Sequence, residues 1–337
     1  MDDAAGGRRG QRPQLSPSLF DALHDEYGID VSGHVDLGGS SNLNLLITTG
    51  DARFVARVYR QHVTARRLDD IQVVRRALVT GGVPCSQLVT TRHDQPWTTV
   101  DDLLVEVEHF VEHDAEMDSR ERLTAGLPLL GQIHTVLRGV TVGAEGRTPR
   151  FANHVEAEDI VDRTLDGTRR IRSWGPTSEE LQLAESADEL AHLLASAERD
   201  RGTALPRQLV HGDFWDNNVL FREGRVVLVT DFDFMGERVR IDDLALTLYF
   251  ASLANGSDRL ADLVDAYEQG LDRPLGREER EALPLALARQ PLWSVGGWIA
   301  TLDDEDTARR HAAGMNAPVA WARAIVDDLE RWRETFS

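Results

Sequence analysis

Cysteine, lysine and long apolar runs are what this chain of 337 residues lacks. Cys85 is its one cysteine, so no internal disulfide can form and nothing suggests a thiolate metal site; a reducing, cytoplasmic setting fits best. All 37 basic side chains are arginine, set against 57 acidic ones for a net charge of -20. That surplus argues against nucleic-acid phosphates or an anionic membrane as the main partner. It suits a cationic substrate, and it equally suits plain solubility. No stretch is apolar over the roughly eighteen residues that a bilayer span needs, and the opening MDDAAGGRRGQRPQ has no apolar signal-peptide core. Residues 1–14 read as a disordered tail.

What is present suffices for two lobes and a cleft, because the length exceeds the usual single-domain size and 41% of residues are apolar. Leu19, Phe20, Leu23 and Tyr27 mark one face of a helix that begins near Pro17 and stops at Gly28. Strands follow, over Val35–Leu37, Leu43–Thr48 and Arg53–Tyr59, with Gly38-Gly39-Ser40-Ser41-Asn42 as the first turn. After a helix over His62–Thr80 come strands Leu88–Thr91 and Leu103–Val107. From Ser119 the pattern turns helical, with helices over Val155–Trp174, Ser178–Arg201, Ile241–Leu253, Arg259–Gln269, Arg277–Ala300 and Ala317–Phe336. His134 shares helical spacing with Leu127, Leu130, Ile133 and Leu137, and reads as a core residue.

The segment LVHGDFWDNNVLF, then REGRVVLVTDFDF, carries the chemistry. Asp213 lies five residues before Asn218, and Asp231 thirteen residues beyond that. Between them, Val219–Phe221, a polar turn at Arg222–Arg225 and the apolar run Val226–Val229 make a hairpin that swings Asp231 back beside Asn218. An HGD tripeptide alone is also what a helix cap or a hydrogen-bonded loop contains. The full spacing specifies more: a base and two oxygen ligands, the donor set of a hard cation such as magnesium. A transition-metal hydrolase built on His211, Asp213 and Asp231 is the weaker reading, since no second histidine or HExxH pattern is near.

HGDxxxxN, a hydrophobic strand, DFD and then Asp243-Leu244-Ala245 together resemble the aminoglycoside phosphotransferase and small-molecule kinase superfamily, from about Leu37 to about Phe250. The resemblance implies an α+β, bilobal protein-kinase-like fold, with a small β-rich N-lobe over residues 15–111 and a larger, mainly helical C-lobe over 112–337. It implies catalytic roles for Asp213, as the base that takes the acceptor hydroxyl's proton, and for His211, which braces the loop. Asn218 and Asp231 become metal ligands and Asp243 a structural anchor. Ser40, Ser41 and Asn42 fall in the turn over the nucleotide phosphates; read without the resemblance, that turn is an ordinary hairpin. Arg57 takes the place of the strand Lys or Arg that contacts phosphates, or it is a surface residue of an edge strand. The helix after it offers Asp69, Asp70 and Gln72 but no Glu as a partner. Glu108 to Val111 forms the interlobe hinge, with Glu108 and Phe110 at the adenine.

The implied reaction moves the γ-phosphoryl group of ATP (or GTP), with Mg2+, to a hydroxyl of a small, cationic acceptor: an aminoglycoside or other antibiotic, an amino sugar or an amino alcohol. Trp215, Asp233 and Glu237 are its candidate contacts, and Trp293 and Trp298 further walls. Asp303-Asp304-Glu305-Asp306 reads as a solvated helix end or loop. Two alternatives stay open, a metabolic kinase of the homoserine or choline type and a catalytically silent nucleotide-binding module of the same fold. Oligomeric state, nucleotide preference and acceptor identity are not written in these motifs.

Overall fold

The computed structural model describes residues 12–39, 41–148, 153–202, 205–255 and 259–337. Its N-terminal part is an antiparallel sheet. Helix α1 (Pro17–Tyr27) starts on the Ser16 cap with Pro17 in its first turn and stops at Gly28, whose φ of 71° is left-handed. Strands β1 (Gly33–Gly38), β2 (Leu43–Thr48) and β3 (Arg53–Val58) form a meander. Helix α2 (Ala65–Thr80), capped by Thr64, precedes β4 (Leu88–Val89), β5 (Thr98–Val100) and β6 (Leu103–His109). The strand order is β1-β2-β3-β6-β4, with β5 also on β6. Leu43, Leu45 and Ile47 alternate into one face of β2 and meet Leu19 and Leu23 of α1, making a small core. Helix α2 belongs instead to the large core of the rest of the chain, through Leu68, Ile71, Val74 and Leu78.

Short β7 (Ala115–Glu116) leads into that mainly helical part: α3 (Arg120–Leu137), α4 (Ala144–Arg147), α5 (Ile160–Ser173) and α6 (Ser178–Arg201). Strand β8 (Arg207–Val210) pairs with β11 (Gly236–Val239), and between them β9 (Val219–Arg222) and β10 (Arg225–Val229) form a hairpin beside β7. Then come α7 (Arg240–Asn255), α8 (Leu260–Glu268), α9 (Arg277–Trp293), α10 (Glu305–Ala313), α11 (Asn316–Asp327) and α12 (Leu329–Phe336). The fold is therefore α+β, an antiparallel sheet followed by a larger helical remainder, as the motifs imply. Among the described residues no helix is long and apolar enough to cross a membrane.

Helix α5 starts at Ile160 and not at Val155, and other local expectations change or sharpen. Arg12 and Pro13, read as tail, are held: Arg12 pairs with Asp36 and donates to the Asn42 carbonyl at 2.9 Å, because a buried turn carbonyl and an acid on the edge strand both need a donor. Residues 1–11 lie outside the described part. The acidic run opens a helix missing from the sequence reading, Asp304 accepting the Thr307 amide at 2.7 Å as the cap of α10. Helix α9 does not run smoothly to Ala300; Ser294–Ile299 widens into a π-helical turn. There α5 approaches so closely that a Cβ on Gly167 would lie 2.1 Å from the Val295 carbonyl oxygen.

Candidate active site

Strand β8 delivers His211, Gly212 and Asp213 to the cleft. Gly212 turns the chain at φ 82°, against the Phe234 carbonyl. Asp243, in the first turn of α7, accepts the backbone amides of His211 and Gly212 at 2.9 Å each and lies 3.2 Å from His134 Nε2. Burial would push that carboxyl up, but the His134 hydrogen bond and the two nearby histidines outweigh it and hold it below its usual range. His211 Nδ1 accepts the Asp213 amide at 3.2 Å, so the proton sits on Nε2, which donates to the Thr230 carbonyl at 3.0 Å. Both ring nitrogens are thus committed, and burial pushes the ring's pKa down. His211 ties the loop to the strand before Asp231 and has no free nitrogen for proton transfer.

The hairpin does what its pattern implies. Val219 pairs with Val229, and the Thr230 amide donates to the Asn218 carbonyl at 3.0 Å, so Asp231 emerges beside Asn218 in a left-handed conformation, φ 66°. Asp213, Asn218 and Asp231 line one cavity of about 320 Å³. Asn218 Nδ2 donates to Asp213 Oδ2 at 2.8 Å and to its carbonyl at 2.9 Å, which leaves the Asn218 side-chain oxygen outside these bonds. That oxygen and the Asp231 carboxylate are hard donors, the set a magnesium ion takes. Burial, then the charge of Asp231, pushes the Asp213 carboxyl well up, against the amides of Asn153 and Asn218. Burial and Asp233 push Asp231 up to about 6, while Arg57 pulls the other way.

The remaining candidates divide. Arg57 is buried, not on a surface, and its partners come from across the cleft: Asp231 at 3.0 Å and the Thr230 hydroxyl at 3.1 Å. Helix α2 supplies it no acid. Asp69 accepts the Trp97 indole, Asp70 holds the amides of Gly143 and Gly146, and Gln72 donates to Glu106. Instead α2 contributes a cation, Arg75, to Glu106 at 2.6 Å and Glu108 at 2.8 Å of β6. Glu108 is therefore a strand residue whose side chain is committed to an ion pair, near the end of β6. Phe110 lies under the Arg53 guanidinium, 4.6 Å from it, and beside His113, outside the cavity walls.

Ser40 lies outside the described residues; Ser41 and Asn42 do line the cavity. Asn42, however, is buried, bonding Asp233 through its amide and accepting the Arg60 amide at 3.1 Å. Asp233 is correspondingly removed from the acceptor side: the short 3-10 turn after Asp231 points it at Asn42, and Arg67 of α2 donates to its carbonyl at 2.7 Å. It joins the two halves of the chain. Glu237 pairs in the β8–β11 ribbon, away from the cavity walls. Trp215 does line the cavity, packed on Phe250 at 4.6 Å, and across the π-helical turn Trp293 and Trp298 meet edge to face at 6.0 Å.

Asn153 and Phe250 also form walls and carry no local sequence signal. Elsewhere His154, Glu156 and Asp242 offer ligand atoms within 4.8 Å of one another. Arg207 grips Glu156 with both arms and Arg289 donates to Asp242 at 2.6 Å, so arginines already occupy both acids and the cluster is an acid–arginine network.

Comparison with known proteins bears on the family and the fold. Residues 34–283 match the model of the phosphotransferase enzyme family. The homoserine kinase of Gluconobacter oxydans is 26% identical over 330 residues, covering 93% of this chain and 96% of its own length. Among solved structures, a microcompartment-associated aminopropanol kinase superposes with a TM-score of 0.68 at 20% identity, over 92% of this chain and 97% of its own. An amicoumacin kinase bound to AMP-PNP, calcium and amicoumacin gives 0.65 at 15% identity, over 92% of each chain.

Proposed function

This chain belongs to the phosphotransferase enzyme family, and from that premise we propose that it moves the γ-phosphoryl group of ATP to the hydroxyl of a small amine-bearing alcohol. The observation that carries the reading is the meeting of Asp213, Asn218 and Asp231 on one cavity that Gly39, Ser41 and Asn42 also line. Asp213 orients the acceptor hydroxyl and accepts its proton. Asn218 and Asp231 would hold the magnesium ion that neutralises charge on the phosphates. Arg57, beside Asp231, and Arg60, on the cavity wall, are the cations nearest to them. His211 and Asp243 keep the loop in place.

Size and wall chemistry support the acceptor class. About 320 Å³ has to take phosphates as well as acceptor, which suits a molecule of homoserine or amino-alcohol size. The far walls are Trp215, Phe250, Trp293 and Trp298, faces on which one ammonium group packs well. Among the described residues, Asp213 and Asp231 are the only carboxylates lining the cavity, and both are committed to chemistry. A polycationic aminoglycoside would leave several ammonium groups without partners there. The homoserine kinase and aminopropanol kinase names of the similar proteins point the same way.

The experiment is product detection by mass, with magnesium-ATP and a panel of L-homoserine, 1-amino-2-propanol, ethanolamine, choline and aminoglycosides. Transfer to a mono-amine alcohol is expected, about 10²- to 10⁴-fold slower in Asp213→Ala with nucleotide affinity kept. Asp231→Ala should weaken magnesium-ATP binding instead. Phosphorylation of aminoglycosides alone would sink the acceptor class, and undiminished turnover by Asp213→Ala would sink the mechanism.

A further inference from the structure

Two amides hold the Asp213 carboxylate, one on each oxygen, and only one of them belongs to the catalytic loop. Asn218 donates to Oδ2 at 2.8 Å, and Asn153, 60 residues upstream, donates to Oδ1. Asn153 stands in the connection from α4 to α5 and lines the cavity beside Asp213. Its neighbour packs at the start of α7: the buried His154 ring lies 3.2 Å from Asp242 Oδ2 without a hydrogen bond from Nε2, and Asp242 accepts Arg289 at 2.6 Å. Asp242 precedes Asp243, the anchor of the His211 and Gly212 amides. Consecutive side chains on a helix diverge by roughly 100°. The first turn of α7 therefore reaches the catalytic loop with one acid and the Asn153 connection with the other.

A carboxylate turns easily about its last torsion, so a donor on one oxygen alone leaves its plane loosely set. Building on the kinase reading above, we propose that Asn153 is a positioning residue for phosphoryl transfer, clamping Oδ1 so that the Asp213 carboxylate meets the acceptor hydroxyl in one orientation, with Asp242 and Asp243 registering clamp against loop. The clamp acts through the base and touches neither phosphate nor metal. Its loss slows the transfer step and leaves nucleotide binding alone.

Asn153→Ala, and Asn153→Asp, which keeps the shape but removes the donor, are assayed with magnesium-ATP and L-homoserine or whichever panel alcohol the wild type phosphorylates. Expected is a fall in kcat of about 10- to 100-fold in both, with KM for magnesium-ATP within about twofold. In the Asp213→Ala background the same substitutions should cost nothing further, since the group they act through is gone. Wild-type kcat in either single variant, or an equal loss in both backgrounds, overturns the clamp. A second measurement needs no acceptor. The side-chain amide resonance of Asn153, assigned by its loss in Asn153→Ala, should move in Asp213→Ala, and an unmoved resonance overturns the proposal. Wild-type protein that phosphorylates no alcohol defeats the kinase reading itself, and the resonance then still decides the contact.

Discussion

Gly212 is held at φ 82° with the Phe234 carbonyl oxygen 2.1 Å from where a Cβ would stand. Both constraints come from backbone, which cannot step aside as a side-chain tip would. Gly212→Ala should therefore cost more than about 2 kcal/mol in urea unfolding and take phosphoryl transfer with it, through the strained φ and the displaced 3-10 turn after Asp231. A variant as stable and active as wild type would mean that the loop reaches the same place by another path. His211 is constrained by bonding instead of space. Its removal strands the Thr230 carbonyl and the Asp213 amide, each a loss of about 1–3 kcal/mol when buried. His211→Ala is thus expected to lower stability and activity together, whereas Asp213→Ala lowers activity alone, a difference that one melting curve beside one rate assay resolves.

Between elements, the ion pair that joins helix α2 to the sheet has its signs reversed from the expected arrangement: the helix carries Arg75 and the strand carries Glu106 and Glu108. Two carboxylates facing one guanidinium in a buried site hold one proton between them, Glu106 pushed up by burial and Glu108 held down, against its own burial, by Arg75. Arg75→Met would leave Glu108 charged and unpaired, costing about 3–5 kcal/mol in urea unfolding, while Glu106→Gln replaces an already neutral group and should cost much less. Equal losses would show both acids ionised. None of this was legible beforehand, because a pair such as Arg75 and Glu106 has no local pattern. The catalytic segment was legible because its geometry is local: five residues of loop and one hairpin place Asn218 and Asp231. Asp233 was misread for the converse reason. It stands two residues from Asp231, yet a 3-10 turn, not an alternating strand, carries it, and so it faces Asn42 across the cleft. Asn153 and Arg67 were invisible, being contacts made over 60 and 166 residues.

For the molecule as a whole, element types followed from periodicity, and even the bounds of α1 and α6 did, where Pro17, Gly28 and the Thr177–Glu180 capping box mark the ends. The buried charges were hidden in composition, and they set the pH response. Glu106 ordinarily titrates near 4.5, and its folded value is raised; Asp242 is pushed by burial and Glu156 from 3.8 to about 8. A raised acid contributes stability that is complete below its unfolded pKa and is lost as pH climbs to the folded one. His154 and His211 are displaced the other way, below 6.5, so each opposes the acids only while the last half of its unfolded-state proton leaves just above pH 6.5, by roughly a few tenths of a kcal/mol. Between pH 6.5 and 8 the two acids therefore outweigh the histidines, each by at most about 1.4 kcal/mol per pH unit, and the rising negative charge of the chain adds in the same direction. Urea unfolding at pH 6.5 and 8.0 should show wild type losing roughly 2–4 kcal/mol and Glu106→Gln about half as much, because glutamine has no proton to release. Wild-type stability that climbs over this interval would mean that Glu106 and Asp242 are already ionised at pH 6.5, held by Arg75 and Arg289 more tightly than burial opposes them.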